Sequence, residues 1–300
     1  MMAPKISVVV VAYDMPREIP RTIRSLSPPL QRNIAPEDYE ILVVDNGSSA
    51  AFDRNLCERW GAQVRFLDVP SPNASPAAAV NFGVRNARGD LVGAMIDGAR
   101  MASSGLIAGA RDAARLHPKP IVASLGFHIG PGLQPQTIQR GYDARAEDAL
   151  LAESRWEEDS DNLFDIAVFA GSSLNGWFAP IAESNALFMK ATEWELLGGC
   201  DERFSSPGGG LVNLDLYRRA CALPDSRLFM LLGEGTFHQV HGGVSANSPT
   251  SRWPEFHAEY VEIRGEPFAA PKKRATFVGS LSRQALAHVE TSARRAQETE

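Results

Sequence analysis

Residues 6–14 read ISVVVVAYD and residues 40–49 read EILVVDNGSS. Both stretches contain runs of mostly β-branched residues followed by an aspartate, a pattern typical of strands buried on both faces of a parallel sheet. A helical segment separates them, and strand and helix patterns continue to alternate up to about residue 100. This alternation predicts an α/β fold with an open, mostly parallel central sheet flanked by helices.

The same patterns place the individual elements. The predicted strands are 6–11, 41–44, 64–67, 91–96, 121–127 and 185–189. The predicted helices are 19–26, 51–61, 77–88, 105–115, 144–153, 191–197, 214–221 and 280–298, the last of them exposed and amphipathic. The sequence shows no repeat period and no low-complexity segment.

Composition excludes several classes of protein. Of 300 residues, 44% are hydrophobic and 22% are charged, enough to bury a substantial core. The net charge of −6 argues against general nucleic-acid binding. The longest uncharged segment, 166–182, contains Ser, Asn and Pro, and no signal-peptide cleavage site follows the first apolar run, so we expect a cytoplasmic protein. Three widely spaced cysteines predict reduced, buried thiols.

Four aspartates lie at or just after the ends of the first four strands: Asp14, Asp45, Asp68 and Asp97. Ligands of open parallel sheets bind outside these ends, where carboxylates can hold ribose hydroxyls, a base edge or a metal. The same residue type also caps helices and forms turns, so each aspartate keeps two interpretations. Neither a glycine-rich dinucleotide turn nor a GxxxxGK[ST] phosphate loop occurs, so a metal or side chains must handle any phosphate.

Further blocks follow in one order. They are AVNFGV at 79–84, Asp97, LGGCDERF at 197–204 and DLYRR at 215–219. Together with the two opening stretches, these blocks resemble family 2 glycosyltransferases with a GT-A fold, over about residues 5–245. The segments SPGGG at 206–210 and GTFHQVHGG at 235–243 also resemble a subgroup found among surface-polysaccharide transferases.

The resemblance implies a nucleotide-diphosphate sugar donor, a polysaccharide or lipid-linked acceptor, and transfer with inversion at the anomeric carbon. It also implies one GT-A domain over residues 1–265, with a nucleotide-binding half at 1–100 and an acceptor-side half at 101–265. A basic tail, 266–300, follows. Six Lys and Arg against three Glu between 271 and 300 suggest either a solvated helix or contact with an anionic membrane surface.

Several residues take expected roles by position in the family pattern. Ala12, Tyr13 and Asp14 are expected to line the base and ribose pocket, and Asp45 is expected to bind the base or ribose. Asn81 is expected near the diphosphate. Asp97 is expected to bind a divalent cation, Mg²⁺ or Mn²⁺, which absorbs charge as the sugar diphosphate leaves.

The acidic metal motif departs from the family pattern. It reads Asp97-Gly98-Ala99-Arg100, with a single carboxylate. Arg100 either supplies positive charge to the phosphates or lies on the surface. A histidine can complete the metal shell, and we expect His241 rather than His238, because glycines 242 and 243 beside it permit close approach.

The motif expected to supply the catalytic base also departs from the family pattern, because Val212 and Asn213 stand where the family usually has Glu-Asp. Asp215 and Glu183 are the candidate bases for the acceptor hydroxyl. Asp215 can instead be a buried acid that pairs with Arg218 or Arg219, and Glu183 can be a solvated loop residue. A non-catalytic GT-A scaffold remains the alternative to an enzyme, and a nucleotidyltransferase ranks last for want of a glycine-rich basic loop.

Overall fold

The computed structural model describes residues 4–242 and 251–298, and in this part of the chain ten strands form one mixed sheet. The strands are β1 (Ile6–Ala12), β2 (Tyr39–Asp45), β3 (Gln63–Asp68), β4 (Leu91–Met95), β5 (Arg100–Ala102), β6 (Pro120–Ile129), β7 (Ala167–Phe169), β8 (Leu187–Lys190), β9 (Arg227–His238) and β10 (Thr276–Val278). The α-helices are α1 (Glu18–Ser25), α2 (Arg54–Glu58), α3 (Ala77–Asn86), α4 (Leu106–Ala114), α5 (Gln134–Thr137), α6 (Ala144–Ser154), α7 (Ala191–Leu197), α8 (Val212–Cys221), α9 (Trp253–Arg264) and α10 (Leu286–Glu298).

The sheet order is β10-β9-β6-β8-β4-β1-β2-β3, with β5 added against β9 and β7 against β6. β1 pairs in parallel with β2 and β4, and β2 pairs in parallel with β3. β8 runs antiparallel between β4 and β6. The predicted α/β fold with an open, mostly parallel sheet is therefore confirmed, and β5, β7 and β8 are its antiparallel strands.

Hydrophobic residues cover both faces of this sheet. Val8, Val9 and Val10 are fully buried, because successive side chains of β1 point to opposite faces and helices cover each face. Val9 joins a core cluster with α3, α7 and α8, whereas Val8 and Val10 join the cluster beneath α1 and α4. A strand buried in this way needs the continuous apolar run from which it was predicted.

Two large elements were missed in the sequence. β9 is the longest strand, but Gly233, Glu234 and Gly235 interrupt its apolar pattern, and Gly233 has a left-handed φ of 80°. The other is α9, whose two buried side chains, Phe256 and Tyr260, give only a weak helical stripe. The predicted helix 51–61 is shorter, because the Asp53 side chain accepts from the Leu56 N–H and starts α2 only at Arg54.

The last helix, α10, begins later than predicted and packs against the domain. Ser292 is fully buried, and its Oγ accepts the Trp177 backbone N–H at 3.2 Å. His288 Nε2 lies 2.9 Å from the Phe164 carbonyl. Across residues 4–242 and 251–298, no helix is both long enough and apolar enough to cross a membrane.

Candidate active site

A cleft of about 980 Å³ opens at the carboxyl ends of β1 and β4, the edge at which an open parallel sheet binds its ligands. The sequence-predicted site residues that line it are Tyr13, Asp14, Asp97, Arg100, Glu183 and His241, and His238 lines it as well. Segments far apart in the chain contribute these side chains. The cleft is therefore formed by the tertiary fold and not by one continuous segment.

Asp97, His238 and His241 form the centre of the cleft. His238 Nε2 lies 2.8 Å from Asp97 Oδ2, and His241 Nε2 lies 3.7 Å from Asp97 Oδ1. The two Nε2 atoms are 3.1 Å apart, and one ligand atom from each residue falls within 4.8 Å of the others. One carboxylate and two imidazoles that converge in this way fit a divalent metal ion. His241 was the histidine expected from the sequence, and the structure adds His238.

The position of His238 follows from the strand that the sequence did not reveal. β9 pairs with β5 in a register that sets His238 opposite Arg100, and with β6 in a register that sets it opposite His128. His241 follows three residues later, after β9 has ended. The HxxH spacing therefore belongs to a strand end and the turn after it, and not to a helical turn. Gly243 lies outside the described residues.

Gln134 at the start of α5 fixes the orientation of His238. Its Oε1 is hydrogen-bonded to His238 Nδ1, and its Nε2 donates to the His238 carbonyl at 2.9 Å. The Nδ1–H of His238 donates in the first contact, which leaves the Nε2 lone pair, on the side of Asp97 and His241, as a possible metal ligand. Burial lowers the pKa of His238 to about 4, so that its ring is neutral near pH 7. Nothing in the sequence around Gln134 pointed to this role.

Arg100 lines the cleft and does not lie on the open surface. It is 8% exposed, and within the described residues its Nε and Nη1 atoms are buried without a hydrogen-bond acceptor. The nearest carboxylate oxygen, Asp97 Oδ2, is 3.7 Å from Nε. A buried guanidinium with unsatisfied donors beside a metal-type cluster can bind an anion such as a phosphate.

Tyr13 and Asp14 follow β1 and lie at the mouth of the cleft. Tyr13 is 55% exposed, so its ring is available to a ligand. Asp14 Oδ1 accepts the backbone N–H groups of Ser49 and Ala50, at 2.6 and 2.9 Å. These bonds, that from Ala50 first, lower the pKa of Asp14 and join the end of β1 to the turn after β2.

Three predicted nucleotide-site residues do not line the cleft. The Ala12 side chain is fully buried in the core. Asp45 Oδ1 accepts the Ser48 N–H at 2.8 Å and so shapes the turn after β2. Asn81 binds both backbone groups of Cys200, at 2.8 and 2.9 Å, and thereby fixes the turn after α7 against α3. Structural contacts account for each of these side chains.

The two candidate bases have different surroundings. Asp215 is 1% exposed and is absent from the residues that line the cleft. Its carboxylate accepts from Arg219 Nε at 2.7 Å and from Arg264 Nε and Nη2 at 2.6 Å. This is the structural alternative considered for Asp215, with Arg264 as an additional partner that the sequence did not suggest. Asp215 therefore joins α8 to α9 and cannot reach a substrate in the cleft.

Glu183 lines the cleft and is half-buried. Asn213 Nδ2 donates to Glu183 Oε2 at 2.6 Å, and the same amide lies 3.3 Å from Asn185 Oδ1. Asn213, on α8, stands where the family pattern usually has an acid. Its amide instead orients the carboxylate of Glu183, which precedes β8.

Comparisons with known structures agree with this fold. S. aureus TarS residues 1–349 superimpose with a TM-score of 0.52 at 12% identity, covering 78% of this chain and 60% of that one. The mannosyltransferase PcManGT from Pyrobaculum calidifontis, solved with GDP-Man and Mn²⁺, gives a TM-score of 0.53 at 15% identity, covering 98% and 70%. The chain therefore has the GT-A fold.

Sequence comparison shows which family of proteins part of this chain resembles. Residues 7–98 match the family described as Glycosyl transferase family 2. A curated relative, validoxylamine A glucosyltransferase of Streptomyces hygroscopicus subsp. limoneus, is 24% identical over 94% of this chain and 62% of its own length. The chain thus spans less than two thirds of that relative. The resemblance expected from the motifs is confirmed.

Proposed function

We propose that the protein is an active glycosyltransferase that takes its sugar from a nucleotide-diphosphate donor. The observation that carries the proposal is the juxtaposition in one cleft of Asp97, His238 and His241 with Arg100, whose Nε and Nη1 have no acceptor among the described residues. A donor diphosphate needs positive charge at the leaving group, which Arg100 and a cation held by the cluster would supply. Structural neighbours solved with UDP-GlcNAc and with GDP-Man support a sugar nucleotide as the donor.

The cation of this proposal is Mn²⁺. Mg²⁺ prefers a shell made of oxygen atoms, whereas transition metals accept imidazole nitrogen, and two of the three ligands here are imidazoles. Asp97, His238 and His241 would hold the ion, which when bound supplies positive charge to the leaving diphosphate. Arg100 contributes a second, fixed positive charge that needs no reorganisation during transfer. Tyr13 and Asp14 complete the donor side of the cleft.

Glu183 is the proposed base of an inverting transfer. The base must take the proton of the acceptor hydroxyl on the face opposite the leaving group. Glu183 lies in the cleft, and its hydrogen bond from Asn213 fixes one carboxylate oxygen. Among the described residues no donor binds its other oxygen, Oε1, which leaves that atom available to a substrate hydroxyl.

The acceptor is proposed to be a glycan or a lipid-linked sugar. Trp253, at the start of α9, lines the cleft and is 46% exposed, which makes its ring available to an acceptor sugar. His257 stacks against Trp253 with ring centres 5.8 Å apart and holds it in place. An exposed aromatic ring with one fixed face suits the apolar face of a sugar.

A cytoplasmic site of action, with peripheral membrane contact through the tail, completes the proposal. Cys57, Cys200 and Cys221 are buried free thiols, as expected of a protein in a reducing compartment. Arg294 on α10 remains exposed although the helix docks on the domain. It is available to an anionic lipid surface.

The competing function is a non-catalytic scaffold, favoured by the single carboxylate in Asp97-Gly98-Ala99-Arg100. The decisive experiment measures Mn²⁺ binding by electron paramagnetic resonance and donor cleavage across a panel of UDP and GDP sugars. Wild-type protein should bind Mn²⁺ and release nucleoside diphosphate from one donor class, and Asp97→Asn should lose both. Asp68→Asn is the control, because Asp68 ends β3 but pairs with Arg54 outside the cleft. Mn²⁺-independent nucleotide binding without turnover would favour the scaffold.

A further inference from the structure

The segment between the two metal-type histidines is held by a buried ion pair. Val240 lies between His238 and His241, and its backbone N–H donates to Glu147 Oε2 at 2.8 Å. Its carbonyl accepts from Arg17 Nη1, also at 2.8 Å. Arg17 Nη2 and Glu147 Oε1 are 2.8 Å apart, so the pair binds both backbone groups of one residue.

The partners of this segment come from distant parts of the chain. Glu147 is on α6, and Arg17 immediately precedes α1. Gln239 is held as well: its N–H donates to the Ala99 carbonyl at 2.8 Å, and its side-chain amide lies 3.3 Å from the Glu18 carbonyl. The backbone between the histidines is therefore fixed to α1, to α6 and to the segment that carries Asp97.

A buried ion pair of this kind adds little to the stability of the fold. The Glu147 side chain is 0% exposed, and that of Arg17 is 22% exposed. Desolvation offsets much of the attraction of such a pair, and apolar residues of similar volume often stabilise a protein as well or better. Its contribution is directional, because two charged groups at fixed angles set the path of the backbone that they bind.

We infer that Arg17 and Glu147 are positioning residues that set the placement of His238 and His241 around Asp97, and through them the affinity for the divalent cation. This inference rests on the proposed metal-dependent function. Neither side chain belongs to the three-residue cluster itself, and both act through the backbone of Val240. Outer groups that orient metal ligands typically contribute about 10- to 100-fold to metal affinity.

Glu147→Gln is the informative variant. Its side-chain amide has one oxygen and one NH₂ group, so in either orientation the NH₂ must face a donor, the Val240 N–H or the Arg17 guanidinium. One contact is lost while the volume stays the same. The effect on the histidines is then separable from a packing defect.

The chain offers a closely matched control in Glu40. Its side chain is 1% exposed, its Oε2 pairs with Arg65 Nη1 at 2.8 Å, and its Oε1 accepts the Arg88 N–H at 2.8 Å. Glu40 lies near the beginning of β2, whereas the cleft opens at the carboxyl ends of the sheet. Glu40→Gln should thus disturb an equivalent buried pair that has no connection to the histidines.

The test is Mn²⁺ titration of wild type, Glu147→Gln and Glu40→Gln, followed by electron paramagnetic resonance, with thermal unfolding of each. We expect Mn²⁺ affinity about 10-fold lower or more in Glu147→Gln and unchanged in Glu40→Gln, although both unfold at lower temperature. Equal Mn²⁺ affinity in wild type and Glu147→Gln would overturn the inference.

Hydrogen–deuterium exchange of the metal-free proteins separates this inference from the proposed function. The Val240 amide should exchange faster in Glu147→Gln than in wild type or Glu40→Gln. Wild-type protein that binds no Mn²⁺ would contradict the metal site, and with it the link to affinity, while faster exchange at Val240 would still support the placement of the segment. Unchanged exchange at Val240 would overturn the placement in either case.

Discussion

Asp45 and Asp97 are carboxylates at the same edge of the sheet, and they have different surroundings. Asp45 ends β2 and accepts the N–H of Ser48, three residues away. Asp97 follows β4 and also accepts a local N–H, that of Ala99 at 3.0 Å, but it meets His238 and His241 as well. Parallel strands bring many acids to one edge. Partners from distant segments determine which of them belongs to a site.

The two candidate bases, Glu183 and Asp215, offer a similar comparison between a residue of the cleft and a structural residue. The largest expected effect is at Glu183. Glu183→Gln should lower kcat for sugar transfer by about 10²- to 10⁴-fold, the usual contribution of a general base. Donor and Mn²⁺ affinity should change little, because the variant keeps the side-chain volume and an oxygen for the Asn213 amide. Steady-state kinetics together with calorimetric titration of the donor measure the two quantities.

Asp215→Asn is the matched control, because its carboxylate is bound only by structural partners in the described chain. It should lower the free energy of unfolding by about 3 kcal/mol, since it leaves Arg219 and Arg264 without their full charge partner. Its kcat per folded molecule should stay within a few-fold of wild type. A large loss of kcat in Asp215→Asn with none in Glu183→Gln would reverse the assignment.

A smaller effect is expected at Arg100, where substitution should weaken nucleotide binding without lowering stability. Arg100→Met should weaken nucleoside diphosphate binding by about 10- to 100-fold, the loss of one or two charge-assisted hydrogen bonds. The free energy of unfolding should be unchanged or higher, because the buried Nε and Nη1 atoms lack acceptors within the described protein. Titration calorimetry and urea unfolding of the same preparation test both statements. A marked loss of stability would show that Arg100 is a structural residue.

The fold was largely predictable because its deciding features are local. The run at 6–11 is apolar at almost every position since β1 is buried on both faces. This pattern can be recognised from the six residues alone, before the neighbouring strands are known. β9 was not predictable in the same way. Its glycines and Glu234 interrupt the apolar pattern. The strand is recognised only from its pairing with β5 and β6.

The sequence predicted several side chains that line the candidate site, but not the residues that hold them in place. Asp97 and His241 have local sequence signals, a strand end and an HxxH spacing, and the structure brings them together. Asn81 carries an equally good family signal, yet its amide is engaged by Cys200. Gln134 and Glu147 carry no local signal, because each acts on residues about 100 positions away. Long-range partners of this kind lie beyond what motif spacing can indicate.

The smallest effect on the site concerns Glu234, a buried acid on the same strand as His238 that has no metal-type partners among the described residues. It is 7% exposed and accepts from Ser103 Oγ and from the Gly105 N–H at 3.0 Å. Burial, aided by the charge of Asp161, raises the pKa of Glu234 from 4.5 to about 8. The folded protein therefore retains a proton that the unfolded chain releases between these pH values. Its free energy of unfolding must fall as pH rises across that range.

Glu234→Gln should remove this contribution to the pH dependence, because the amide keeps an acceptor oxygen and does not titrate. From pH 5 to pH 8 the wild type should lose about 3 kcal/mol more of its unfolding free energy than the variant, as measured by urea unfolding at several pH values. Mn²⁺ affinity at pH 7 should be the same in both. A parallel pH dependence in the two proteins would show that Glu234 is ionised in the folded state, whereas a loss of Mn²⁺ binding would mean that β9 transmits the state of this acid to His238.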